Sequence, residues 1–373
     1  MSSVLAPPRQ NFQRQWYISL QPQGADDIVI SSDQSDQPLQ VTFDVRTFAL
    51  MEYWEADVSI FNLSSLTTGT LLNNSGLTAD NFTTRVYEIP AGVQIGTPIS
   101  ISAGYKNAPG GPFSPQANLI YQGNVFQPMW TRENVVDARL RLRCFVGLLQ
   151  NTFNYASGTV AKGLTAYDQL QQIAGASDPP IPVDIDDKAK AQLQAKTFPR
   201  GRPFAGRPVP LIQQIVRDNN LIAWLAPNGL NVRSMEIDQT KEPQYIFGPP
   251  LAANTQSSSQ TPGSTPITRT LLGVPQQTQQ GIIFRVLMDA RPKLGDVVQI
   301  APGTAINQLP VQIPSLPPAP NPSRKYVVVG IRHYGVARGR GDDWFTEVTG
   351  VTLDFFPAYF IARDPSASAS PAK

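Results

Sequence analysis

The sequence predicts a mainly β protein of antiparallel strands with a smaller α+β domain between two β-rich parts. Three observations predict it. Short runs of alternating apolar residues fill the first and last parts of the chain. The apolar period turns helical near Gly158 and returns to two after Gln244, and Gly- and Pro-rich connections separate the runs. At 373 residues the chain is long for one domain, and a usual size of roughly 100 to 200 residues favours two or three.

Each element follows from its own pattern. Val41, Phe43 and Val45 alternate with polar residues, as do Ala56, Val58 and Ile60, then Ile99, Ile101 and Ala103 before Tyr105, and Leu140, Leu142, Cys144 and Val146. In a pleated strand this alternation buries one face and leaves the other polar, so pairing into a sandwich or barrel is the economical fold. In the middle, Leu164, Tyr167, Leu170, Ile173 and Ala174 fall at helical spacing, and Thr165 with Asp168 can satisfy the free amides of a helix start. A polar second helix is expected over 186–195, and a third over 208–220 with Leu211, Ile212, Ile215 and Val216 on one stripe. Pro227-Asn228-Gly229 between two apolar runs predicts a hairpin across 221–235. Strands return over 281–288, 296–300, 325–333 and 344–356. Segment 252–268 has no charged residue and too little to bury, so a mobile loop is expected there, whereas 301–324 carries seven prolines and reads as an extended, stiff connection.

Composition narrows the function. Charged residues make up only 16% of the chain, against the roughly quarter usual in soluble domains, which suits a surface that partners cover. A net charge of +2 supplies no global field for nucleic acid or acidic lipid. No run approaches the ~18 apolar residues of a membrane span and the N-terminus lacks a signal-peptide core, so no membrane partner and a cytoplasmic site of assembly are expected. The sequons at Asn62, Asn73 and Asn81 and the Arg340-Gly341-Asp342 tripeptide read as chance products of composition.

Catalytic constellations are scarce. A single histidine, His333, and a single cysteine, Cys144, exclude within one chain a His-based metal cluster, a Ser/His/Asp triad, a Cys/His pair and an internal disulfide framework. His333 reads as a hydrogen-bonded structural residue and Cys144 as a buried thiol. Residues 158–165 imitate the glycine spacing of a phosphate loop, but Leu164 stands where that loop needs lysine. Asp184, Asp186 and Asp187 lack the glycine and distant glutamate of a calcium loop and read as an acidic turn leading into a helix. No enzyme, cofactor or metal is expected, although two acids could meet from anywhere in the fold. Arg139, Arg141 and Arg143 alternate with Leu140, Leu142 and Cys144, which sets three guanidinium groups on one strand face ~7 Å apart. Such a ladder faces solvent, carboxylates of a neighbouring strand, a partner subunit or nucleic acid. Arg139, Arg141 and Arg143 are the candidate subunit-interface residues.

Several segments, in order, resemble the baseplate hub family of contractile-tailed bacteriophages, the late control protein D-like proteins. VTFDVRTF (41–48), EADVSIFNLS (55–64), ISAGY (101–105) and IYQGNV (120–125) are similar to the family's opening barrel, and GLTAYDQLQQI (163–173) to the first helix of its inserted domain. GVPQQTQQGIIFRVLMDARPKLGDVVQI (273–300) and YVVVGIRHYGVARGRGDDWFTEVTG (326–350) resemble its closing barrel. The uncharged loop and the Pro-rich segment depart from the family as insertions, and no lysozyme or peptidase module is recognisable. The resemblance implies two tail-tube-like β-barrels per chain. It divides the chain into an N-terminal barrel domain (12–157), an inserted α+β domain (158–243), a C-terminal barrel domain (244–361) that includes 252–268 and 301–324, and a flexible tail (362–373). It implies a homotrimeric symmetry adaptor in the virion tail baseplate, with a tail tube protein, a central spike protein, a tape-measure protein and other baseplate proteins as partners, and DNA passing transiently through the lumen. The competing readings are another baseplate or tail-tip component, a tail-associated cell-wall hydrolase, or a glycan-binding protein using Trp130 or Trp344, both of which read first as core.

Overall fold

A computed structural model describes residues 13–22, 24–34, 38–51, 54–73, 96–108, 111–147, 154–177, 180–236, 240–250, 265–278, 281–307, 325–338 and 343–353. Most of 252–268 and 301–324, the tail 362–373, Asn81 and the Arg340-Gly341-Asp342 tripeptide lie outside the described residues. The first part holds β1 (Arg14–Leu20), β2 (Ile28–Ser31), β3 (Val41–Phe48), β4 (Glu55–Phe61), helix α1 (Ser65–Asn73), β5 (Thr97–Tyr105), the small pair β6 (Asn107–Ala108) and β7 (Gly111–Pro112), β8 (Leu119–Arg132) and β9 (Ala138–Phe145). The middle holds β10 (Ala156–Val160), α2 (Ala166–Gly175), β11 (Val183–Ile185), α3 (Asp187–Gln194), β12 (Arg202–Gly206), α4 (Pro208–Asp218), β13 (Leu221–Ala226) and β14 (Gly229–Ser234). The last part holds β15 (Tyr245–Phe247), β16 (Ile267–Thr268), β17 (Leu271–Gln277), β18 (Gly281–Leu287), β19 (Val297–Ile300), β20 (Lys325–Val336) and β21 (Trp344–Thr352). The protein is mainly β with few helices.

The alternation in 41–48 produces what it predicts, since buried and half-exposed residues take strict turns along β3. Strand β1 and helix α1 were not expected from sequence, yet in β1 Trp16, Ile18 and Leu20 carry the same period and are all buried. One sheet runs β16-β15-β19-β20-β3-β4-β9-β8-β5-β1-β2, with β21, β18 and β17 branching from β20. The branch arises because β20 changes partners along its length. β21 pairs with one edge from Tyr326 to Gly335, while the other edge meets β19 through Val327 and then β3 from Gly330 onward. A bulge between Val328 and Gly330 makes the change, and the backbone groups there stay bonded: Val328 N–H donates to the Asp296 carbonyl at 2.9 Å and the Val329 carbonyl accepts from Ala49 N–H at 2.9 Å.

Among the described residues no ladder closes either half into a hydrogen-bonded barrel. In the first half the sheet instead curls until β5 faces β21, and side chains bridge the gap. Trp344 Nε1–H donates to the Gly104 carbonyl at 3.1 Å, Tyr105 O–H donates to the Trp344 carbonyl at 3.0 Å, and Arg14 donates to the Val336 carbonyl at 2.7 Å. Trp344 is buried and meets Phe43 edge-on with ring centroids 5.1 Å apart. A β-carbon at Gly335 would lie 2.3 Å from the Phe43 ring, so this packing requires glycine.

The middle part has its own core, made by α2, α4 and the inner face of β13 and β14. Thr165 and Asp168 form the capping box at the start of α2 that their spacing predicts, and Asp186 caps α3. β13 is buried on both faces: Leu221, Ala223 and Leu225 enter this core, whereas Ile222, Trp224 and Ala226 pack with Val297, Val327, Val329 and Val351 of the large sheet. The hairpin thereby fastens the α+β unit to the sheet. Replacing Trp344 by alanine is expected to cost about 3–5 kcal/mol, the range for emptying a buried aromatic site, and equilibrium urea unfolding measures it.

Candidate assembly interface

The arginine ladder lies on the outer face of β9, as its alternation with core residues requires. Arg141 grips Asp57 of β4 with Nε 2.9 Å from both carboxylate oxygens, and a second nitrogen completes the fork. Arg139 pairs with Glu133 at 3.0 Å, and its buried Nε has no hydrogen-bond partner. Arg143 is exposed and lies over the Phe145 ring at 5.9 Å. Two of the three predicted interface arginines are therefore met within the chain, and the third is held against an aromatic ring.

The ladder is one end of a wider charged band that sequence reading missed. Asp44 of β3 sits between two guanidinium groups, accepting from Arg332 of β20 at 2.8 and 2.9 Å and from Arg46 at 2.8 Å. Arg46 also reaches Glu55 at 3.6 Å, and Arg285 of β18 bonds Glu347 of β21 at 2.7 Å. The register places Arg285, Glu347, Arg332, Arg46 and Glu55 in one transverse row across five strands. Aromatic rings support the cations: Arg285 lies 4.5 Å over Phe345 and Arg332 lies 5.3 Å over Tyr334. Burial pushes the Asp44 carboxyl up, but the hydrogen bonds from Arg332 and Arg46 outweigh it and hold the group below the usual carboxylate range. The signal for this band was present in VTFDVRTF, where Asp44 and Arg46 occupy the polar positions of the alternation; which strands carried their partners was not.

The other singled-out residues have structural duties. Cys144 is fully buried, and burial raises its thiol pKa. His333 is buried in β20, with Nδ1 2.9 Å from Thr346 Oγ1. Thr346 Oγ1 donates to the Asp289 carbonyl at 3.1 Å and accepts from Asp289 N–H at 2.9 Å. Asp184 pairs with Arg233 at 2.6 Å, and Asp186 accepts from the amides of Ala189 at 2.6 Å and Ser234 at 3.1 Å, as an acidic turn before a helix would. Gly158 belongs to β10, where a side chain would strike Phe204 at 2.7 Å. Of the two tryptophans expected in the core, Trp344 is there, but Trp130 is 49% exposed. Its partner across the ladder, Leu140, is buried, so the two strands differ in burial at this pair.

No protein-family model matches the sequence, and no curated protein matches it. Among solved structures, the chain is similar to a tail protein from Neisseria meningitidis MC58, at 12% identity and a TM-score of 0.49, covering 92% of this chain and 98% of that one. It is also similar to a 43 kDa tail protein of prophage MuSo2 from Shewanella oneidensis, at 8% identity and a TM-score of 0.48, covering 91% and 98%. An E. coli component of the type VI secretion system is similar at 9% identity and a TM-score of 0.43, covering 86% and 75%. At these scores and identities, function has to be argued from the chain's own residues.

Three expectations follow. Asp44→Asn keeps the shape but leaves Arg332 and Arg46 without their shared anion, and should cost about 1 to 2 kcal/mol in urea unfolding. Asp57→Asn, in a more exposed pair, should cost less. Burial pushes the His333 pKa down from 6.5 to about 4, with Asp289 acting against it. Because the folded pKa is depressed, the unfolded chain binds the proton first. Stability is therefore full above pH 6.5 and falls by roughly 3 kcal/mol as pH drops to about 4. The chain has one histidine, so a single imidazole proton resonance reads this directly, and a midpoint near 6.5 in the folded protein would contradict it.

Proposed function

We propose that the chain is a structural hub of a contractile phage-type tail, a homotrimeric adaptor between a sixfold tube and a threefold central spike. The observation that carries the reading is the sharing of β20 by two sheet halves. Each chain presents two sheet modules in a fixed relation, so three chains in a ring would present six. The ordered sequence motifs support the same reading, because they fall on both halves and on the helix that opens the α+β unit. Under it the two halves correspond to two tube-like barrel domains. The partners are the tube protein, the spike protein, a tape-measure protein held in the lumen, and neighbouring baseplate proteins. The protein builds and lines a channel rather than catalysing a reaction.

The charged band fits this work. DNA is held by cations that displace its counterions, and here Arg332, Arg46, Arg141, Arg139 and Arg285 are already engaged by carboxylates. A wall of that kind would let a polyanion pass without gripping it. Native mass measurement and negative-stain imaging of the purified chain, alone and with a spike protein, are expected to give a threefold ring. A monomer at every concentration that joins neither tube nor spike would overturn the reading.

A further inference from the structure

Strand β2 ends the path of the large sheet, and a single side chain guards its outer edge. Ser32 N–H donates to the Trp16 carbonyl at 3.0 Å, and the ladder pairs Ile30 with Ile18 and Ile28 with Leu20. Antiparallel bonding alternates along a strand, so the main-chain groups of Val29 and Ser31 point away from β1. There Gln34 Oε1 accepts from Ser31 N–H at 3.2 Å and Gln34 Nε2 donates to the Val29 carbonyl at 2.9 Å. Those are the two bonds that one residue of a parallel neighbouring strand would make. An exposed glutamine thus holds the place of a strand on an edge that is otherwise a template for pairing.

The charge beside this edge is of one sign. Residues 15–43 hold Asp26, Asp27, Asp33 and Asp36 and no Lys or Arg. Asp26, Asp27 and Asp33 are exposed and bracket β2. The opposite run lies in the α+β unit, where residues 188–217 carry seven Lys and Arg and no Asp or Glu. Within it β12 pairs only with β10 among the described residues, which leaves its other edge without a strand. Pro203 and Ala205 of β12 are exposed, and proline is tolerated on such an edge strand. Arg200 and Arg202 stand at the start of β12 and Arg207 follows its end. Unlike Arg332, Arg46 and Arg141, none of these three is in an ion pair among the described residues, nor is Asp26, Asp27 or Asp33. Asp26 and Asp33 lie seven positions apart, as do Arg200 and Arg207. A parallel pairing of β2 with β12 therefore sets acid against base at both ends.

We propose that β2 of one copy pairs edge to edge, in parallel, with β12 of a second copy, and that Gln34 is released as β12 takes over its two bonds. The proposal rests on the self-assembling reading above and deepens it by naming a contact. Because β2 and β12 are different surfaces, the contact is heterologous and closes into a ring when its rotation fits the symmetry. Main-chain bonds supply the attraction, and the bracketing charges set direction and register.

The test uses the full chain. Asp26, Asp33, Arg200 and Arg207 are exposed, so D26R/D33R and R200D/R207D are each expected to fold normally, with an unchanged circular dichroism spectrum, and to self-associate at least tenfold more weakly by sedimentation. The quadruple variant reverses both sides of the contact and is expected to regain the parent's association. Gln34→Ala removes the guard, leaves the bonds to β1 alone and is expected to associate more tightly than the parent. Double variants that assemble like the parent, or a quadruple variant no stronger than either double, would overturn the contact and leave the assembly reading standing. Weakening in R200D/R207D but not in D26R/D33R would overturn it in favour of another anion on β12, and a double-stranded DNA gel shift lost in R200D/R207D alone would identify that anion as nucleic acid. A Gln34→Ala variant that associates no more tightly would overturn the release step, and a parent that is a monomer throughout would remove both readings.

Discussion

Strand β20 has to satisfy hydrogen bonds on two edges with three partners, and the rest of the structure depends on how it does so. A strand buried on both faces cannot leave backbone groups unpaired without a penalty of order 1–3 kcal/mol each. From Tyr326 to Ile331 the strand is buried throughout, with Tyr326, Val328 and Ile331 in the core of the second half and Val327 and Val329 against the α+β unit. The bulge between Val328 and Gly330 lets one edge pass from β19 to β3 while the other stays on β21. That single change of partner welds the two sheet halves and fixes their relative twist.

Electrostatics follow from the same geometry. Once β20 lies against β3, Arg332 comes within hydrogen-bond distance of Asp44, and the pair becomes the centre of a band whose cations are each spoken for by a carboxylate or an aromatic ring. The arginine ladder, viewed by itself, is a repulsive column. Beside β4 it becomes the margin of a nearly neutral face, with Asp57 closing on Arg141 and Glu133 on Arg139. Balance of this kind suits a surface that guides or assembles better than one that grips.

How much was legible depended on the range of the interaction. Period-two alternation in 41–48 and 138–145, the capping box at Thr165 and Asp168, and the Pro227-Asn228-Gly229 turn are all decided within a few residues, and each appears where its pattern predicts. Strand β1 carried the same alternation at Trp16, Ile18 and Leu20 and could have been found by it. Trp130 was misplaced because its residue type argues for core, while its exposure beside the buried Leu140 depends on what the tertiary structure packs over each strand. The charged band was out of reach for a related reason: its central bond joins Arg332 and Asp44, which lie 288 positions apart in sequence.

By itself, the sequence determined which faces are apolar, which turns are tight, and that one histidine and one cysteine exclude a His-based metal cluster, a Ser/His/Asp triad and a Cys/His pair within one chain. These are properties of neighbours along a chain, where steric preference and side-chain period act locally. Only the tertiary structure decided that β20 is shared, that the first half is bridged at Trp344 by side chains rather than by a ladder, and that the arginines of β9 are mostly answered. Those outcomes turn on strand register, and register is set by packing and hydrogen bonding between segments hundreds of residues apart.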